Sequence, residues 1–275
     1  MNAAARCAFV LVLLATVSLS AQWPSYVPPN TPRLADGTVN LAAPAPRTPD
    51  GKPDLSGVWD SRVPPAGRLG APMLPSLDGA PVATFVNVGA NLKDGLPFTS
   101  WAAELRQQRM ASNSRDNPDA HCLPLGFMQL HTHSQPRKIV QSPTVIVIAY
   151  EANAGLRQVH LDGRAAPSGE PQPWWFGYSV GRWDGDTLVV ETTGLRDDGW
   201  LDVNGSPFTA EARITERFRR PNFGRLKIDV TVTDPKAYTR PWTVRVNQRL
   251  LAQDELIEFV CLENERDATR LRSGP

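Results

Sequence analysis

The chain has 275 residues and is nearly charge-balanced, with 29 Lys and Arg against 28 Asp and Glu. That balance excludes the basic excess that nucleic acid or an anionic membrane surface selects, so neither is expected as a partner. A length of this order accommodates one large β domain or two small ones.

Residues 1–21 read as a processing segment. Arg6 is the only charge, an apolar run extends from Ala8 to Leu19, and the small residues Ser18, Ser20 and Ala21 close it. The run is too short to span a bilayer and has the length of a signal-peptide core, so cleavage is expected near Ser20 or Ala21. The mature protein is then expected to be exported, periplasmic or extracellular, with no membrane span. A retained N-terminal anchor is the alternative. A lipid anchor is disfavoured because Cys7 precedes the apolar run. Loss of Arg6 leaves 28 basic and 28 acidic residues, a formal charge of zero.

Thirteen of the 26 prolines fall in residues 22–82. Proline fixes φ and removes a ladder donor, so residues 22–52 are expected to form an extended arm. A turn at Asp50-Gly51 then leads into a first short strand over Pro53–Trp59. The stretch 100–111 predicts the one short helix, with Ser100 as cap and Trp101 and Leu105 on a shared face.

From 137 onward the strand pattern is dense. Lys138–Glu151 contains the run Val145–Tyr150, and Leu156–Leu161 follows, ending at the turn Asp162-Gly163. Residues 173–194 read as a hairpin closed by Asp184-Gly185. That loop pairs Trp183 with Asp186, Tyr178 with Glu191 and Phe176 with Thr193. One face of the hairpin then carries Trp174, Phe176, Tyr178, Val180, Val189 and Glu191. The other carries Gly177, Ser179, Gly181, Trp183, Leu188 and Val190. Apolar residues on both faces place the pair inside a barrel or sandwich.

Residues 212–220 set Ile214, Glu216 and Phe218 against Thr215, Arg217 and Arg219. Residues 225–233 set Leu226, Ile228, Val230 and Val232 against their polar neighbours. A three-residue loop, Asn222-Phe223-Gly224, with Gly224 left-handed, joins the two. Residues 242–251 and 255–262 supply two more strands. The expected fold is all-β: an antiparallel meander of eight to ten strands over 53–267, closed or nearly closed into a lipocalin-like barrel because closure hides the edges. A two-sheet sandwich is the alternative, and 268–275 is a tail.

Once Cys7 is removed, Cys122 and Cys261 are left as a pair, which in an oxidising compartment reads as a disulfide; two buried thiols are the alternative. No Gly-x-Ser-x-Gly elbow, phosphate-binding loop or dinucleotide fingerprint is present.

Three groups of residues are candidates for chemistry. In His131-Thr132-His133, a strand would point both imidazoles to one side, where they could hold a divalent metal with help from His121, His160 or Asp162. The bland reading is a pair of hydrogen-bonding histidines. Trp174, Trp175, Phe176, Tyr178, Trp183 and Trp200 could line a pocket for a small ligand, with Glu191 beside Tyr178 serving as an acid or base of raised pKa. Plain core is the alternative. The loop 196–205, with Asp197, Asp198 and Asp202 around Trp200, could bind a cation or a sugar, against the reading of a solvated turn.

Several segments resemble a family of exported bacterial proteins. They are Pro53–Trp59, Leu161–Arg164, Gly177–Trp183 with Gly185–Thr192, Asp234–Trp242 and Cys261–Glu265. The resemblance runs from about residue 50 to 267 and implies secretion and a single β-rich domain; it carries over no catalytic residue. Gly57-Val58-Trp59 is separately similar to the Gly-x-Trp that opens lipocalin-type barrels, although the long proline arm departs from that pattern.

The sequence thus supports an exported barrel that binds or processes a small apolar, aromatic or glycoside-like ligand against Trp174–Tyr178. A second reading is a hydrolase, lyase or isomerase using His131 and His133, metal-bound or as acid/base groups, assisted by Glu191 or Asp202. A third is an envelope interaction module without a pocket. Oligomeric state is left open.

Overall fold

In the computed structural model, residues 27–61, 79–168 and 172–263 are described. The expected processing segment, the first residues of the arm and the tail lie outside them. Among the described residues nine strands close into a barrel: β1 (Gly57–Asp60), β2 (Arg137–Gln141), β3 (Val145–Tyr150), β4 (Leu156–His160), β5 (Tyr178–Asp184), β6 (Thr187–Thr193), β7 (Arg213–Asn222), β8 (Arg225–Thr233) and β9 (Trp242–Leu250). Two helices, α1 (Ser100–Ala111) and α2 (Phe127–Thr132), lie between β1 and β2.

The expected meander closes, with one departure. β4 and β5 run parallel, pairing Val159 with Ser179 and His160 with Val180, and every other junction is antiparallel. Parity demands this. A ring of nine strands that alternate strictly in direction cannot close antiparallel, so one junction must be parallel. The connection 161–177 is long enough for the crossover a parallel pair needs.

Side-chain alternation puts Ile139, Ile148, Val159, Leu188, Val190, Phe218, Ile228, Val230 and Val244 inside, all almost fully buried. The inward sets expected for β7 and β8 are observed. Their loop is shorter than expected: Asn222 pairs with Arg225, and Gly224 is not left-handed. Its lack of a side chain serves another purpose, because a Cβ there would stand 2.6 Å from Cβ of Leu41 in the arm. The arm docks by backbone bonds from Phe223 N–H to Ala43 O and from Gly224 N–H to Leu41 O, both 2.8 Å.

α1 has the predicted bounds, but Thr99 is the cap, accepting from the Ala102 N–H. Trp101 is 43 % exposed, and Ala102 is the buried residue of this helix. α2 is the second helix that the sequence reading lacked. It carries five consecutive buried residues, Phe127–His131. Gly126 precedes it because no side chain fits there: a Cβ would stand 1.7 Å from the Trp200 carbonyl oxygen. The predicted strand at 255–262 is not formed, since β1 already pairs with β9 and takes that edge. The disulfide joins Cys122 to Cys261 across a sequence separation of 139 and ties this last described stretch to the loop before α2.

Candidate functional site

The two arms of the 173–194 hairpin are offset by two residues from the predicted register. Asp184 pairs with Thr187, so the turn is Gly185-Asp186; Tyr178 lies opposite Thr193, and Val180 opposite Glu191. An offset of two preserves the faces, and the expected division holds. The structure then decides which face looks in. Ser179, Leu188, Val190 and Thr192 are buried in the barrel, whereas Glu191 is exposed on the outer wall. The expectation of a covered Tyr178/Glu191 face is therefore corrected.

The expected aromatic cluster divides into separate sites. Trp174 is 53 % exposed and sits 5.7 Å from the Tyr178 ring, which lies 5.0 Å from the His160 ring at an interplanar angle of 30°. The Arg164 Nη1 reaches the Tyr178 hydroxyl at 3.4 Å, and Arg164 also pairs with Asp162 at 2.5 Å. These residues form an aromatic shelf on the outer wall, where the ends of β4 and β5 meet. Trp175 is separate, under the guanidinium of Arg196 at 4.6 Å. Phe176 packs toward Tyr150, 6.3 Å between ring centroids. Trp200 is buried and covered by the Arg109 guanidinium at 4.5 Å, so it offers no face to a ligand.

His131 and His133 do not sit in a strand. His131 is in the last turn of α2 and His133 is its C-cap. On a helix, residues two apart point away from each other. His131 enters the barrel, and its Nε2 lies 2.8 Å from Oε1 of Glu216. His133 packs edge-on against Phe85, and its Nδ1 accepts the Gln135 N–H at 3.0 Å. Among the described residues no group of three or more His, Cys, Asp or Glu is placed to hold a metal ion.

The interior polar group that the sequence reading passed over is centred on Glu216, on β7. Arg157, on β4, donates from Nη1 to its Oε1 at 3.0 Å and from Nη2 to its Oε2. Arg157 also donates to Ser179 Oγ and to Thr192 Oγ1, at 3.0 and 2.9 Å from Nη2. His131 and Glu216 are 1 % and 0 % exposed. Burial alone would push the Glu216 carboxyl up; the Arg157 charge and the His131 hydrogen bond outweigh it and hold the pKa at about 2. The carboxylate is then an acceptor only, so Nε2 of His131 carries its proton. Burial lowers the His131 pKa, and the neutral ring leaves Nδ1 without a partner among the described residues.

Beneath this group, the end of α2 is capped from the barrel wall. Arg137 Nη1 and Gln248 Nε2 both donate to the His131 carbonyl, at 2.7 and 3.0 Å. A cation at a helix C-terminus is favourably placed against the helix dipole. Glu216 was legible as an inward residue from the alternation of β7. An acidic side chain at a core position signals a buried partner.

Asp202, expected in a solvated or cation-binding loop, is buried. Its carboxylate accepts from the Val88 N–H at 3.0 Å and from Ser206 N–H and Oγ at 3.0 and 2.8 Å. Burial raises its pKa and these donors oppose the rise. They satisfy the carboxylate within the protein, so it acts as a pin for the loop.

No helix among the described residues is long and apolar enough to cross a membrane. What is established of the molecule is a closed β-barrel with a disulfide and a small external aromatic cluster. Comparison with models of protein families, with curated proteins and with solved structures returns no match.

Proposed function

We propose that the protein is an exported barrel that binds a small ring-bearing ligand, aromatic or glycoside-like, on the outer shelf formed by Trp174, Tyr178 and His160. The single observation that carries this reading is Trp174: an indole set at 52° against a second ring yet more than half exposed. The exposed indole and Tyr178, whose hydroxyl meets the Asp162-paired Arg164, together offer both parts of such recognition, an apolar platform and polar groups at its rim. The disulfide fits export, since such bonds persist in oxidising compartments. So does the resemblance of the Gly177–Thr192 region to an exported family.

The reading differs from an interior carrier in a way that can be measured. Titration of the oxidised chain with phenyl β-glucoside, read by calorimetry in parent and variants alike, should give saturable binding, and in the parent a saturable shift of the Trp174 indole N–H resonance. A dissociation constant in the millimolar range is expected, since a single stacked ring contributes only about 0.5–1.5 kcal/mol beyond area burial. Trp174→Ala should abolish binding. Trp175→Phe should leave it intact. Equal binding by the Trp174→Ala variant, or no saturable shift in the parent, overturns the assignment.

A further inference from the structure

A second site lies at the opposite end of the β5–β6 hairpin, roughly 20 Å of strand away from the shelf. The arm crosses the rim of the barrel there and leaves a cleft of about 440 Å³. Its lining includes the guanidinium-bearing residues Arg47, Arg219 and Arg220 and one carboxylate, Asp186, set among prolines such as Pro44 and Pro221. In a chain of near-zero net charge, this is a local excess of two positive charges.

The three cations differ in what they have left to offer. Arg47 grips Asp186 with both terminal nitrogens, at 2.9 and 2.7 Å, and is half exposed. Arg219 donates one bond to Asp229, at 2.7 Å, but that carboxylate is also held by Arg245, at 2.5 and 3.0 Å. One carboxylate thus meets two guanidinium groups.

Arg220 is the most telling. It is 6 % exposed, lies over the Trp59 ring at 4.8 Å, and donates to backbone carbonyls of Asp54, Ser56 and Phe223. No carboxylate is within hydrogen-bond reach in these contacts, and its Nε has no partner among the described residues. Burial pulls its pKa down to about 10, with only the more distant Asp54 opposing. A desolvated cation bordering an open cleft is the arrangement that an incoming anion completes.

We infer that the cleft between the arm and the barrel rim binds a tetrahedral oxyanion, a phosphate or sulfate group, through Arg219 with Arg47 at its mouth, the buried charge of Arg220 lying behind them. Planar guanidinium groups match such an oxyanion bidentately. The single carboxylate, Asp186, holds Arg47 in place and limits affinity by its own charge. The arm thereby becomes one wall of a site as well as a strap over the barrel.

The test uses the full oxidised chain and inorganic phosphate, with sulfate and glycerol 3-phosphate as parallel arms, at constant ionic strength set by chloride. The readouts are calorimetry and the Nε–H resonances of the arginines. Saturable binding is expected at millimolar phosphate. Arg219→Gln should weaken it about tenfold, the effect of losing a charge-assisted pair. Asp186→Asn should tighten it severalfold, because the backbone bonds of Leu41 and Ala43 still hold the arm. Arg213→Gln, farther along the outer face of β7, should change nothing.

Preference for glycerol 3-phosphate over both free anions identifies a phosphoester ligand; equal binding of phosphate and sulfate identifies a free-anion site. Absence of saturable binding in all three arms overturns the proposal. So does a loss with Arg213→Gln as large as that with Arg219→Gln, which would mark a diffusely basic wall. Neither outcome bears on the shelf, whose ligand and readout are separate.

Discussion

Removing the charge from Glu216 is the sharpest perturbation the barrel interior offers. Glu216→Gln keeps the shape and an acceptor for His131 but leaves Arg157 as a buried cation without a carboxylate. Breaking one side of a buried pair costs about 3–5 kcal/mol. The depressed pKa gives the magnitude by a second route. A carboxyl that falls from its ordinary 4.5 to about 2 on folding contributes about 3 kcal/mol at neutral pH. This contribution is complete above the unfolded-state value and is lost as pH falls from about 4.5 through 2. At pH 3 it should have shrunk to about half.

His131 acts in the same direction at higher pH. Burial holds it neutral, so protonation of the unfolded chain draws stability away as pH falls through about 6.5. The assay is urea unfolding of the oxidised chain and the variant at pH 7 and pH 3. A cost below about 1 kcal/mol at pH 7, or a cost that does not change with pH, refutes the reasoning. Replacing the pair together, Glu216→Leu with Arg157→Met, should be close to neutral, because an apolar pair removes the desolvation penalty along with the attraction.

Two further outcomes follow from the geometry. Replacing Cys122 and Cys261 by Ser should lower stability by at most about 5 kcal/mol, since the bridge closes a loop of about 140 residues; unfolding curves with and without reductant should coincide for the variant and separate for the parent. Gly126→Ala should be severely destabilising, about 3 kcal/mol or more, because the added methyl meets the Trp200 backbone and not a movable side chain; a thermal midpoint within a few degrees of the parent would show that the loop yields.

Much of the architecture was readable from alternation. The inward residues of β7 and β8, the bounds of α1 and the cysteine pair all follow from local pattern or from counting. What escaped has identifiable causes. The 173–194 hairpin is offset because its Asp-Gly pair does not centre the turn: Asp184 belongs to the ladder and Gly185-Asp186 turns. Period-two patterning divides the faces correctly but does not say which of two apolar faces looks inward, and here the more aromatic one faces out.

α2 has no side-chain cap hydrogen bond; only tertiary burial makes it a helix, so His-x-His reads as a strand. Residues 255–262 have the composition of a strand and lack only a free edge to join. For the candidate sites, Glu216 was visible as an acid in a core register. The arginine cleft was not, because Arg47, Asp186 and Arg219 meet only when the arm folds back over the rim.

The seam between β1 and β9 also dictates the order of assembly. It is sealed by two residue pairs, Trp59 with Leu250 and Asp60 with Arg249, between segments 189 positions apart in the chain. The first staves of the ring must wait for the last, and ring closure across such a distance is slow. Until then both margins stand open as templates for a neighbouring nascent chain. The vulnerable moment in the life of this molecule is therefore its maturation, when crowding of newly made copies competes with the closing of each one upon itself.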